Sequence, residues 1–483
     1  MSATPIVSDA PARPHPRGSQ RGIRLGLPAV VLRSPNWLIG FVFLEMACQV
    51  ALLLPSVAGS RVFVRSAAFA GSLLLVLLLR GPREDHPSRP VAMLALSVVA
   101  LAILHPTTNT VLAGVATLAL DLAVLGPIFW APRIRMDLTT VRTLFFVFWA
   151  FHTASASLGV LQLYYPGQFQ PAAASILSDT YVQGLQITLE NGTRVLRPMG
   201  LTDTPGGAGT GGVYSVLFAS AFLLDRPRPF FRVVLLASIC VGCFALYICQ
   251  VRALFVMLVV SLIAMMAPFV LQRRMGRLLK VALPVGAIGA LAFSLSLAIG
   301  AEAVTGRLST LFEGNLSNVY YSNRGFFLED TFYNLLPQYP FGAGLGRCGM
   351  MRSYFGDQYN AASPPLYAEI QWTLWLFDGG VPLMILYALA ILTAIREGLR
   401  TATRRGPGHE DLSKWASVLV GYSVGVFAST FGWCPFAGTF GVDFWLLNVA
   451  VFAASRQLSA SQPGGTSRVG IITKDAMPVR TAR

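Results

Sequence analysis

Twelve apolar stretches, separated by polar or turn-rich intervals, set the pattern of the chain. They run Trp37–Leu54, Val62–Leu79, Val91–Leu104, Thr110–Trp130, Thr143–Leu163, Gly211–Leu224, Val233–Cys249, Ala253–Leu271, Val281–Gly300, Val381–Ile395, Trp415–Phe431 and Gly438–Ala454. A span needs about 20 mostly apolar residues, so the pattern predicts an all-α polytopic membrane protein with about 12 transmembrane helices. The third and sixth stretches are the shortest. An even number of spans puts both termini on one side. Two polar intervals are long, Tyr164–Thr210 and Ala301–Pro382, and both fall on the opposite, outer side. The expected division is a basic arm (1–35), N-terminal membrane helices (36–163), a first outer loop (164–210) and central membrane helices (211–300). A large outer loop (301–382) containing short helices, C-terminal membrane helices (383–455) and a tail (456–483) complete it.

Charge orients this pattern. The chain is 54% hydrophobic and 12% charged, against about 25% charged in soluble domains. Its net charge of +15 raises nucleic acid as a partner, but the bases form short clusters between the apolar stretches, which is the positive-inside arrangement instead. With the N-terminus inside, 28 of the 37 lysines and arginines face inward, and every inner segment is richer in them than any short outer one. The first 35 residues hold five arginines and no apolar run long enough for a cleaved leader; they read as a cytoplasmic arm. Cys240, Cys243 and Cys249 lie within one apolar stretch, where small buried hydrophobes are the default. Their C-x-x-C has no further ligand at metal-site spacing, so neither a metal nor a cofactor is expected. Cys348 and Cys434 both fall outside and are free to pair or not.

The chemistry concentrates in Val319–Leu383. There Pro340, Gly342, Gly344 and Gly346 form a turn with glycine at every second position. Alternate glycines either turn the chain with positive φ or let backbone approach a ligand closely. All nine outer bases are arginines (61, 65, 194, 197, 252, 307, 324, 347 and 352), and the three lysines are all inside. Arginine suits two-pronged recognition of phosphate; an arginine-rich chain explains the bias as well. Arg252 stands between two apolar stretches with almost no loop, where a base needs a partner, water or a path to the headgroups. Arg197 opens a proline- and glycine-rich segment, Arg197–Ala208. Glu45 and Asp121 lie inside spans, either as functional acids or as hydrogen-bonding partners of packed helices. His152 and His105 read as core or interface histidines.

Three patches and a closing acidic break resemble the O-antigen ligase and O-antigen polymerase superfamily of bacterial envelope enzymes, and the chain looks like an exopolysaccharide polymerase of that kind. The segment RPMGLTDTPGGA (Arg197–Ala208) is similar to the family's arginine, glycine and proline approach to a mid-chain span. QVRALF, with Arg252, resembles its arginine at the outer start of the next-but-one span. Arg324 followed by NLLPQYPFGAGLG (Asn334–Gly346) resembles its arginine and glycine turn in the large periplasmic loop, and DGGVP (Asp378–Pro382) the acidic break opening the following span.

The resemblance implies a polymerase that joins undecaprenyl-pyrophosphate-linked oligosaccharide repeat units on the periplasmic face of the bacterial inner membrane, with both termini cytoplasmic. The alternatives are a ligase using another acceptor and a non-catalytic assembly subunit. Its partners would be the lipid-linked glycan, the bilayer, and a flippase and chain-length regulator of the same pathway, with no nucleic acid and no cofactor. Arg252, Arg324 and Arg197 would hold the pyrophosphate. Ligases of this family carry a histidine about nine residues before the acidic break; here that place belongs to Glu369, which would act as the base and favours polymerase over ligase. Two further readings weigh less. A transferase with its catalytic acid in the first outer loop meets a loop, Pro55–Arg61, without carboxylates. A secondary transporter coupled through Glu45 and Asp121 calls for internal repeats that the sequence lacks.

Overall fold

The computed structural model describes residues 34–79, 85–171, 186–188, 194–225, 227–312, 320–406 and 408–461. Nearly all of the basic arm and of the tail lie outside them. Each of the twelve apolar stretches is helical: α1 Asn36–Ala51, α2 Arg61–Leu78, α3 Arg89–Ala102, α4 Val111–Trp130, α5 Leu138–Tyr164, α6 Gly207–Leu224, α7 Pro229–Cys249, α8 Arg252–Leu271, α9 Met275–Phe312, α10 Gln371–Thr403, α11 His409–Ser429 and α12 Thr439–Ala460. Seven of them (α2, α4 to α8 and α10) are long and apolar enough to cross a membrane. Helices α1 and α3 and the Ala282–Ala298 part of α9 are shorter apolar segments; α11 and α12 carry more polar residues and are largely buried in the bundle. Beyond the helices, the described residues include a two-stranded antiparallel ribbon, β1 Gln186–Thr188 against β2 Arg194–Leu196, with Ile187 opposite Val195.

Local chemistry sets the helix ends. Thr110 Oγ1 accepts from the Ala113 N–H at 3.0 Å and starts α4; Asp137 Oδ1 accepts from the Thr140 N–H at 2.7 Å and starts α5. Such caps satisfy N–H groups that have no partner inside the helix. The centre of the bundle is α6, whose first half is glycine-rich. A Cβ on Gly212 would stand 2.4 Å from the Gly242 carbonyl oxygen of α7, and one on Gly211 2.8 Å from the His152 carbonyl oxygen of α5. Small residues let apolar helices approach backbone to backbone, which is how helices pack where no water drives them together. Gly421 and Gly425 of α11 do the same against Ser261 of α8.

The connectors alternate between two ends of the bundle. At one end Asp225 pairs with Arg142 at 2.8 Å and Lys414 at 3.2 Å, and Arg274 pairs with Glu410 at 2.9 Å. At the other, Arg61 and Arg65 at the start of α2 both pair with Asp203. There too the Asn109 N–H donates to the Leu345 carbonyl at 2.9 Å, and the Gln371 N–H to the Thr430 carbonyl at 3.1 Å. This second end gathers the two long polar intervals. The end of the larger one is already helical: α10 begins at Gln371, breaks at Gly379 and Gly380 (φ 66°), and resumes as the apolar span.

Candidate functional site

The alternating glycine turn takes its shape from this end of the bundle. Gly342, Gly344 and Gly346 have φ of 103°, 85° and 71°, a region open to glycine at little cost. The edge they leave bare is taken by protein. A Cβ on Gly344 would stand 2.6 Å from the Thr107 carbonyl carbon, and one on Gly346 2.4 Å from Ala113 Cβ. The Ala343 N–H donates to the Phe377 carbonyl at 2.7 Å and the Val381 N–H to the Pro340 carbonyl at 2.9 Å; Thr107 Oγ1 donates to the Ala343 carbonyl at 2.6 Å. Pro340 to Gly346 is thus a wedge between the α3–α4 connector and the break in α10. Of the two uses foreseen for alternate glycines, the positive φ is present at all three, and the atoms lying against the turn are those of the same chain.

The wedge positions the charged residues around it. Arg324 sits on a π-helical turn, Tyr321–Gly325, the first of two in the helical stretch from Tyr320 to Gln338. Single π turns recur at functional sites because they redirect one side chain. Thr331 and Thr373 share a hydrogen bond of 2.6 Å that fixes this stretch to α10. Arg324 forms an ion pair with Glu369, whose carboxylate also accepts from the Tyr367 hydroxyl. Glu369 lies two residues before α10, ahead of the N-cap Ile370, and is not one of its first-turn acids.

Arg197 lies on the same side. Its segment is clamped to α5, where Gln162 Oε1 accepts from the N–H groups of Met199 (2.9 Å) and Gly200 (2.8 Å). The guanidinium is half-buried beside Arg324 and Cys249, and burial first, then Arg324, lower its pKa from the ordinary arginine value. Its Nε is buried without a hydrogen-bond partner among the described residues. Arg252, the first residue of α8, follows Val251, which packs against Gly206. It precedes Ala253, whose Cβ stands 3.4 Å from where a Cβ on Gly432 would be.

The segment from Thr430 to Gly438, between α11 and α12, joins these parts, and sequence reasoning had passed over it. Tyr320 Oη donates to the Phe431 carbonyl at 3.4 Å, and Trp372 Nε1 to Thr430 Oγ1 at 3.1 Å. The Phe436 N–H donates to Gln371 Oε1 at 2.9 Å. Cys434 faces Glu369, Asp378 and Arg324; burial above all, with the two carboxylates adding, pushes its thiol up to about 12. It is a neutral thiol there, and neither it nor Cys348 is in a disulfide. Only its crowded composition, Phe431-Gly432-Trp433-Cys434-Pro435-Phe436, marked this segment in the sequence.

Arg324, Arg197, Glu369 and the backbone of Arg252 therefore share one mouth, supplied by four separated segments. Two guanidinium groups offer paired donors to an anion, and the Glu369 carboxylate supplies one proton acceptor beside them. Beside the mouth an open groove of about 380 Å³ runs along α10, lined by apolar side chains including Phe332, Leu336, Trp372, Met384 and Leu392. Among the described residues no three His, Cys, Asp or Glu side chains gather as metal ligands. No protein-family model matches the chain, and no curated protein matches it.

Proposed function

We propose that this chain is a polymerase of lipid-linked glycans. It would join undecaprenyl-pyrophosphate-linked repeat units on the periplasmic face of a bacterial inner membrane, crossing it twelve times with both termini cytoplasmic. The observation that carries the reading is the Arg324–Glu369 pair with Arg197 beside it. An arginine cluster suits a departing diphosphate, since planar guanidinium groups match phosphate oxygens in pairs, and fixed donors aimed at developing charge usually supply the largest catalytic term. The apolar groove starting at Trp372 supports the lipid half of the donor, because a polyprenyl chain lying along α10 would put its diphosphate at the mouth. The alternation of connectors between two ends supports an even number of crossings, and the inward bias of the bases supports the orientation.

In this mechanism the donor diphosphate competes with Glu369 for Arg324. Once displaced, the carboxylate takes the proton of the acceptor hydroxyl as its oxygen attacks the anomeric carbon. The bond from that carbon to the diphosphate oxygen breaks, and the diphosphate leaves on the lipid, its charge held by Arg324, Arg197 and Arg252. Glu369→Gln keeps the size of the side chain and removes the base. We expect polymer yield to fall roughly a hundredfold, the low end of general-base contributions, at unchanged protein abundance, while Glu369→His retains more activity than Glu369→Gln. Near-normal polymer from the glutamine variant, sized on gels, would remove Glu369 from the mechanism.

A further inference from the structure

Below the mouth, five helices bring together polar side chains that the proposed reaction does not use. Glu45 of α1 and Asp443 of α12 are 2% and 4% exposed and meet carboxyl to carboxyl. Tyr214 of α6 donates its hydroxyl proton to Asp443 Oδ2 at 2.9 Å. Its oxygen stands 2.7 Å from the Tyr422 hydroxyl of α11, so Tyr422 is the donor in that contact. His152 of α5 stacks on the Tyr214 ring with centroids 4.0 Å apart, and its Nδ1 is buried without a hydrogen-bond partner among the described residues. Cys48 and Thr439 are the other groups that act on Glu45, and among the described residues no arginine or lysine acts on either carboxyl. Tyr214 lies seven residues into α6, about 10 Å along the helix from its start at the mouth.

Glu45 Oε1, Glu45 Oε2 and Asp443 Oδ1 are buried without a hydrogen-bond partner within normal distance among the described residues, and the one hydroxyl acting on Glu45, that of Thr439, can donate to only one of the three. Ionised carboxylates only accept, so two of them face to face leave these atoms unsatisfied and place like charges together where no cation offsets them. Two bare charges there would be stripped of water with nothing gained in return, whereas one proton held between two carboxyls removes both the like-charge contact and part of the desolvation. A single proton supplies the missing donor. We propose that Glu45 and Asp443 form a buried proton-binding site, in which the two carboxyls share one proton and Tyr214 and Tyr422 order the acceptor side. Ionisable groups at this depth characteristically serve proton paths. The glycan reaction as proposed uses none of its members.

Infrared spectroscopy of the purified protein at neutral pH tests this. The wild type is expected to show the carbonyl band of an un-ionised carboxylic acid, moving on transfer to deuterated water. Glu45→Gln and Asp443→Asn, which keep hydrogen-bonding capacity at each position, should each remove or shift one component of that band in difference spectra against the wild type, while melting within a few degrees of it. Labelling the wild type with ¹³C-carboxyl glutamate or aspartate reads the same band without any variant, and one of the two labels should shift it. Absence of the band from the wild type, a band that neither label moves, or a band that disappears when sodium is added would each overturn the proposal. The last result would make the pair a cation site.

Discussion

Arg347 and Arg352, each 5% exposed, are spent on their own loop. Arg347 donates to the carbonyls of Pro364 (3.0 Å) and Ala343 (2.8 Å), and Arg352 to those of Ser363 (2.7 Å) and Gln358 (3.0 Å). Arg61 and Arg65 hold Asp203, and Arg65 also donates to Tyr354 at 2.9 Å. Four of the nine outer arginines are therefore builders of the loops, whereas Arg197 and Arg324 stand at the mouth. Replacing Arg324 or Arg252 by lysine keeps the charge and loses the forked geometry. Polymer formation is expected to fall at least tenfold in each while protein abundance holds, as measured by immunoblot beside glycan gels; normal polymer from both would make them structural. This division was not legible in the sequence, because an arginine that binds carbonyls of its own loop and one that awaits an anion have the same local composition. The ion pair of Glu369 with Arg324 was equally hidden: the two are 45 positions apart, and the π turn with the Thr331–Thr373 and Phe327–Tyr367 contacts brings them together.

At the scale of elements, apolar length located the long helices, seven of them long and apolar enough to cross a membrane, since a run of apolar residues has to satisfy its backbone internally where water is absent. The ends were less legible. Helix α9 continues to Phe312, and α10 starts at Gln371 and breaks at Gly379 and Gly380 before its apolar span. Alternate glycines leave open positive φ or close approach to a ligand; the turn has positive φ at all three, but what lies against it is not readable from one segment. Gly344→Ala and Gly380→Ala should be the most damaging substitutions at this end. Both positions have positive φ, and the added Cβ would stand 2.6 Å from the Thr107 carbonyl carbon and 2.2 Å from the Pro340 carbonyl oxygen. Gly349→Ala meets the same backbone strain (φ 55°) with nothing within 4 Å, and should lose only about 1–2 kcal/mol. Thermal melting in detergent checks this order, and equal losses at all three positions would mean that backbone strain, not contact, governs the wedge.

At the scale of the whole molecule, the connectors separate into two sets, and the mouth, the wedge and the apolar groove all belong to one of them. Reporter fusions after Gln358 and after Gly406 should therefore report opposite sides of the membrane, periplasmic and cytoplasmic respectively; the same side for both would break the alternation of helices. Gly184, an equivalent point in the first long loop, lies outside the described residues. The central claim is that this mouth transfers glycan from a lipid diphosphate, and reconstitution tests it most directly. Purified protein in lipid vesicles is supplied with undecaprenyl-pyrophosphate-linked repeat units, and released lipid diphosphate is measured together with the sizes of the glycan products. The account predicts a ladder of lengthening products, with one lipid diphosphate freed for each glycosidic bond formed, and loss of both signals in Arg324→Lys. Intact donor after prolonged incubation with folded wild-type protein, or a ladder that persists undiminished in the Arg324→Lys protein, would contradict it.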